Sequence, residues 1–98
     1  PVERLAWVVV ATSVGFCEEV VYRGYLQTEL SAKTRSVTLG VILQAILFGL
    51  AHADQGPWSA IPLAIYGLAF GVMAYLRRSL VPGIICHVGV DLAAGLMK

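Results

Sequence analysis

Charged residues are scarce. They make up 13% of the 98 residues, against about 25% in an ordinary soluble domain. Neither sign dominates: seven Lys and Arg stand against six Asp and Glu, a net charge of +1 with both histidines neutral. There is no basic patch and no basic stripe interleaved with aromatics, so nucleic acid is not expected as a partner. The two cysteines, Cys17 and Cys86, lie in apolar runs and are too few for a disulfide framework. They read as small apolar packers, because burial in a membrane suppresses thiol reactivity. No segment alternates apolar and polar residues as a half-buried strand does. No small-residue cleavage site follows a short apolar run, which argues against a signal peptide. The chain opens at Pro1 inside what reads as a helix. The expectation is a single core, residues 1–98, cut from a longer membrane protein.

What remains is apolar. The hydrophobic fraction is 58% and the mean hydropathy +0.79. Counting glycine and leaving out tyrosine gives about 64%, where soluble domains have about 45–50%. A soluble chain this short buries roughly two-thirds of its unfolded surface and cannot hide that much apolar material. The expected fold class is all-α, a polytopic membrane bundle of about four transmembrane helices. Four apolar stretches support it, over residues 5–17 with a mixed continuation to 32, then 37–53, 58–76 and 80–97. The last three have about 17–19 residues, close to the ~20 that cross a bilayer core. Polar loops separate them at residues 31–36, 54–57 and 77–79. Trp7, Trp58 and Tyr75 fall near helix ends, as interfacial aromatics do. Gly67 and Gly71 have the GxxxG spacing of close helix packing. Lys33, Arg35, Arg77 and Arg78 share one side of this topology, with only Arg4 and Lys98 on the other. The positive-inside rule puts the four-charge side in the cytoplasm of a cell membrane.

Within this apolar chain, Glu18, Glu19, Arg23, His52, His87 and Asp91 sit inside the hydrophobic stretches. Each charge at a bilayer centre costs about 2.5–3.5 kcal/mol on insertion scales, and several facing lipid separately would cost on the order of 10 kcal/mol. Turning them into one interior cavity avoids most of that. Their depths allow it: at about 1.5 Å per residue, Glu18 lies about 22 Å from Lys33, His52 about 25 Å from Arg35 and Asp91 about 20 Å from Arg78. Glu19 and Arg23 are four apart and can pair on one helix face. Glu18 then points about 100° away, stacked with Val14 and Tyr22. His87 and Asp91 have the same spacing, and Gln44, Phe48 and His52 form an i, i+4, i+8 stripe. Taken singly, Glu19–Arg23 reads as a structural ion pair, His52 as an interfacial residue and His87–Asp91 as a packing hydrogen bond. Taken together in so apolar a chain, they read as a site. Glu29 and Asp54 read as solvated or interfacial.

The motifs that carry these residues resemble those of a known family. Glu18-Glu19-Val20-Val21-Tyr22-Arg23 resembles an EExxxR motif, Phe48-Gly49-Leu50-Ala51-His52 an FxxxH motif, and His87-Val88-Gly89-Val90-Asp91 an HxxxN/D motif. This order, on separate hydrophobic helices over about residues 14–95, is similar to that of the CPBP family of intramembrane proteases. That family comprises CAAX-processing and bacteriocin-processing endopeptidases, also called Abi proteins. The stretch from Tyr66 to Gly71 is similar to the family's glycine-rich helix. The resemblance implies hydrolysis of peptide bonds in membrane-associated peptide or protein substrates. It implies that Glu18 and His52 activate a water, that His87 and Asp91 stabilise the oxyanion, and that Glu19 and Arg23 hold the first helix in place. Asp91 stands where well-studied CAAX endopeptidases have Asn. An ionised Asp only accepts hydrogen bonds, so Asp91 either orients and charges His87 or stays protonated and donates.

No metal is expected, because zinc-type HExxH spacing is absent. If a metal such as zinc is bound, Glu18, His52 and His87 are the ligand set. Two other functions share these residues. One is a non-catalytic immunity or scaffold member of the same family, binding a peptide or partner in the cavity. The other is an ion or proton transporter using the acid and histidine cluster.

Overall fold

The computed structural model describes residues 1–96, so Met97 and Lys98, the end of the fourth apolar stretch and one of the basic residues, lie outside the described residues. The elements are α1 (Val2–Glu18), a π-helical segment (Glu19–Leu26), α2 (Gln27–Thr34), α3 (Val37–Ala51), a 3-10 turn (Ala53–Gln55), α4 (Pro57–Arg77) and α5 (Val81–Leu96). No strand occurs among the described residues. The first three elements run on without a break as a rod of 33 residues, Val2–Thr34.

Two connections differ from those the sequence suggests. The loop expected over residues 31–36 shrinks to Arg35 and Ser36. Ala32 and Lys33 are good helix formers, and the Thr34 hydroxyl donates to the Leu30 carbonyl at 2.6 Å, so α2 persists. Arg35 then takes the left-handed conformation at φ 57°, and the Ser36 side chain caps α3 by accepting from the Leu39 N–H at 3.1 Å. At the other end α3 stops at Ala51, not residue 53. His52 leaves helical geometry with ψ 10°, and the 3-10 turn follows. Gly56, at φ 113°, reverses the chain into Pro57 at the start of α4, a conformation that needs glycine.

The rod and α4 are long and apolar enough to cross a membrane. The helices α3 and α5 are apolar but have 15 and 16 residues, about 23 and 24 Å, where a bilayer core is about 30 Å thick. The elements divide along the rod. Helix α5 packs on α1, α3 packs on α2, and α4 lies against α3. The π segment is where α3, α4 and α5 all reach the rod. The molecule measures 48 × 29 × 15 Å. Its thickness fits two packed layers of helices, with axes about 8–10 Å apart and about 2.3 Å of Cα radius on either side. Large apolar side chains such as Leu5, Val9, Phe16, Ile65, Leu76 and Ile85 therefore lie exposed on the outer surface. Cys17 and Cys86 are exposed there as well, not packed inside.

Gly67 and Gly71 do more than let helices approach. A Cβ at Gly67 would stand 3.1 Å from the Ala45 Cα, a close contact between α4 and α3. The Gly67 carbonyl also accepts from Gln44 Nε2 at 2.8 Å, and the Gly71 carbonyl accepts from Gln27 Nε2 at 3.0 Å. Both glutamine side chains are buried. The glycines expose backbone oxygens that two apolar helices otherwise could not offer to a buried amide.

Candidate active site

The site forms at the junction of α1 and the π segment. Glu19 and Arg23 are 1% and 3% exposed, and Arg23 Nη1 lies 3.2 Å from Glu19 Oε2. The Arg23 guanidinium carbon sits 4.4 Å from the Phe48 ring centre and 5.4 Å from that of Phe70. An arginine charge in hydrocarbon is thus met by a carboxylate and by aromatic faces.

From α3, the Gln44, Phe48, His52 stripe turns inward, with Gln44 and Phe48 fully buried. His52 Nδ1 lies 2.7 Å from the Phe48 carbonyl oxygen. A carbonyl only accepts, so Nδ1–H donates and the neutral ring carries its lone pair on Nε2. That Nε2 lies 3.2 Å from Glu18 Oε2.

From α5 comes His87, buried and stacked on Phe70 at 5.4 Å. Its Nδ1 lies 2.6 Å from Glu19 Oε2, the same oxygen that faces Arg23. Its Nε2 lies 3.2 Å from Glu18 Oε1 and 3.5 Å from Asp91 Oδ2. The Trp7 indole N–H donates to the Asp91 backbone carbonyl at 3.0 Å, tying α1 to this part of α5. Gly83, one turn before His87, faces Glu19, where a Cβ would lie 3.1 Å from Oε1.

The structure brings Glu18, Glu19, Arg23, His52, His87 and Asp91 into one cluster. Glu29 and Asp54 are exposed and outside it. Glu18 and Glu19 do not point apart as neighbours on an α-helix would. They reach opposite nitrogens of the same imidazole, because the α-to-π change between them widens the turn. Spacing offers Asp91 as the carboxylate that orients His87, but the closer contact is from Glu19, and Asp91 lies on the Nε2 side with Glu18. The sequence reading also leaves out the Phe48 carbonyl, the Phe70 stack and the Trp7 tie. The adjacent Glu pair is the one signal for the π turn, since two neighbouring acids both escape lipid only if both turn inward.

Glu18, His87 and Asp91 each offer a ligand atom, all within 4.8 Å of one another. This set has Asp91 in the place that the sequence reading gives to His52. One imidazole and two carboxylates suit zinc, and His87 has its second nitrogen on a carboxylate, as metal-binding histidines commonly do. Chemically the cluster presents a half-buried carboxylate between two imidazole nitrogens, each ring fixed by a bond at its other nitrogen.

No curated protein and no solved structure matches the chain. The model of the family described as type II CAAX prenyl endopeptidase Rce1-like matches residues 2–93, a span that holds every residue of this cluster, and the chain belongs to that family of membrane-embedded proteases.

Proposed function

We propose that the chain is an intramembrane endopeptidase that cleaves membrane-associated peptide or protein substrates with a water activated by Glu18 and His52. The observation that carries this reading is the position of Glu18, with His52 Nε2 and His87 Nε2 each 3.2 Å from one of its oxygens. A water beside Glu18 gives one proton to the carboxylate and donates its other O–H to the His52 lone pair. Its oxygen attacks the peptide carbonyl, and the carbonyl pair moves onto oxygen. His87 donates to that oxyanion through Nε2, while Glu19 holds the ring from Nδ1 and Arg23 balances Glu19. When the C–N bond breaks, the proton on Glu18 passes to the leaving amine. Asp91 lies on the oxyanion side, where its acid form donates and its ionised form does not.

In this reading Glu18 activates the water without a metal. Were zinc held by Glu18, His87 and Asp91, it would supply Lewis-acid polarisation and a more acidic water. Metal analysis of the purified protein, with activity before and after chelation, separates the two routes.

The proposal places the chain as a single protease core in the cell membrane, probing the bilayer with four helices. The shortness of α3 and α5 is met by local thinning and by their polar turns. Lys33, Arg35, Arg77 and Arg78 face the cytoplasm. The test is peptide cleavage in heterologous membranes. Glu18→Ala and His52→Ala should each lower turnover about 10²–10⁴-fold, the range of a general base, with the protein still inserted. Near-normal turnover in either variant removes that residue from the mechanism, and no cleavage by the unaltered chain favours a non-catalytic role.

A further inference from the structure

His87 is held at its edge by carboxylates and at its face by Phe70. Glu19 Oε2 lies 2.6 Å from Nδ1, and Glu18 Oε1 lies 3.2 Å from Nε2. An ionised carboxylate only accepts, so the ring donates from both nitrogens. The Phe70 ring lies nearly parallel to the imidazole, with centres 5.4 Å apart and planes 15° apart. The Phe48 ring stands across it, at 6.0 Å and 83°. Both phenylalanines are buried, so neither ring is open to a peptide.

The nitrogen contacts do not fix the ring plane throughout the reaction. In the hydrolysis proposed above, Nε2 turns its proton from Glu18 to the oxyanion. The bond from Nδ1 to Glu19 then remains. The second side-chain torsion of histidine is broad, and one hydrogen bond leaves it loose. An offset-stacked neighbour narrows it, because tilting the ring breaks the parallel contact. Phe70 is itself held in place. It stands beside Gly71 and three residues after Gly67. The carbonyls of these glycines accept from buried Gln27, on the rod, and buried Gln44, on α3. Helix α4 is thus tied from two sides at the level of Phe70. The same ring lies 5.4 Å from the Arg23 guanidinium carbon. Its π electrons therefore lie close to two cationic donors, Arg23 and the doubly protonated His87.

We propose that Phe70 is a positioning residue for His87. Its ring holds the imidazole plane so that Nε2–H points at the oxyanion, and its π electrons attract the charge that the imidazole carries while it donates. Phe70 touches no substrate and moves no proton. The near-parallel contact distinguishes this role from ordinary packing, since a residue that only fills space needs no stacked ring. His52 has no such neighbour: its ring is tilted 51° from that of Phe48, and its Nδ1 bonds the Phe48 carbonyl instead. The role rests on the proteolytic reading for the oxyanion that Nε2 meets, but the plane of the ring can be measured without it.

The test replaces Phe70 by mono-, tri- and pentafluorinated phenylalanine through nonsense suppression, which keeps the shape and withdraws electrons from the ring face. In peptide cleavage in heterologous membranes, kcat should fall step by step with fluorination, to about tenfold lower in all, with KM within about twofold. Phe70→Leu should lower kcat about two- to tenfold, the worth of one aromatic pair. The same analogues at Phe16, exposed on the outer surface, should change neither constant. A kcat that is constant across the series overturns the proposal and leaves Phe70 as packing. A series in which only KM rises also overturns it, because Phe70 then meets the substrate. A second readout needs no substrate. The chain has two histidines, so protein with isotope-labelled histidine in detergent gives two ring signals by nuclear magnetic resonance, and His52→Gln identifies that of His87. This signal should be single and sharp in the unaltered chain, and should broaden or split in Phe70→Leu, with circular dichroism confirming the helices. If Phe70→Leu does not fold, the pentafluorinated chain is read in its place. An unchanged His87 signal overturns the role. If the unaltered chain cleaves no peptide, the proteolytic reading fails, and the ring signal still decides whether Phe70 fixes His87.

Discussion

His87 has a carboxylate against each ring nitrogen, Glu19 at 2.6 Å and Glu18 at 3.2 Å. Only one of these acids has a cation of its own: Glu19 pairs with Arg23, and both are buried. The two acids are therefore not interchangeable. Arg23→Ala leaves Glu19 buried without its partner, a loss of about 3–5 kcal/mol. The expected outcome is less folded protein in the membrane as well as lower activity, read by detergent-stable yield against specific activity. A variant that accumulates normally but is inactive would give Arg23 a direct role on substrate. Asp91 is the other decisive side chain. Because Glu19 already holds Nδ1 of His87, the ring does not depend on Asp91 for its orientation. Asp91→Asn keeps the size and can donate to an oxyanion. Turnover should stay within about tenfold of the unaltered chain. A much larger loss of turnover, with the protein still folded, would show that the Asp91 charge is needed.

At the scale of elements, the sequence carried most of the helices and little of the geometry between them. Apolar stretches and polar punctuation locate α1, α3, α4 and α5, because lipid-facing runs must be long and uninterrupted. The EExxxR, FxxxH and HxxxD motifs point to the family, and insertion cost alone groups their ionisable residues. Helix rotation is not legible in the same way. Hydrophobicity all round a helix leaves no moment to say which face turns inward. The π segment is signalled only by the adjacent Glu pair, since Val20 and Val21 between the acids and Arg23 fit an α-helix as well as a wider turn. Gly71 shows how spacing can be read correctly and still incompletely. GxxxG marks a close approach, but the groups approaching are Gln27 Oε1 and Gln44 Nε2, each 2.5 Å from where a Cβ would be. Gly71→Ala forces those buried amides off their carbonyls. We expect a loss of about 1–3 kcal/mol, the usual range for overpacking, seen as a lower unfolding temperature in detergent. An unchanged unfolding temperature would mean that α4 shifts freely.

For the whole molecule, the path of the chain sets both basic turns at one end, where Ser31 and Arg78 line a common cavity. The turn with Asp54 and Gln55 lies between α3 and α4, at the opposite ends of those helices. In a background of Cys17→Ser and Cys86→Ser, Ala32→Cys and Arg77→Cys should react with an impermeant thiol reagent from the cytoplasmic side only, and Gln55→Cys from the other side only. Labelling of Ala32→Cys and Gln55→Cys from the same side would rule out a crossing by α3. The 15 Å thickness has a kinetic consequence. On the membrane placement proposed above, so thin a slab meets membrane-associated substrates within the plane of the bilayer. Encounters then depend on how many substrate molecules occupy each unit of membrane area, so adding lipid dilutes the reaction while adding buffer does not.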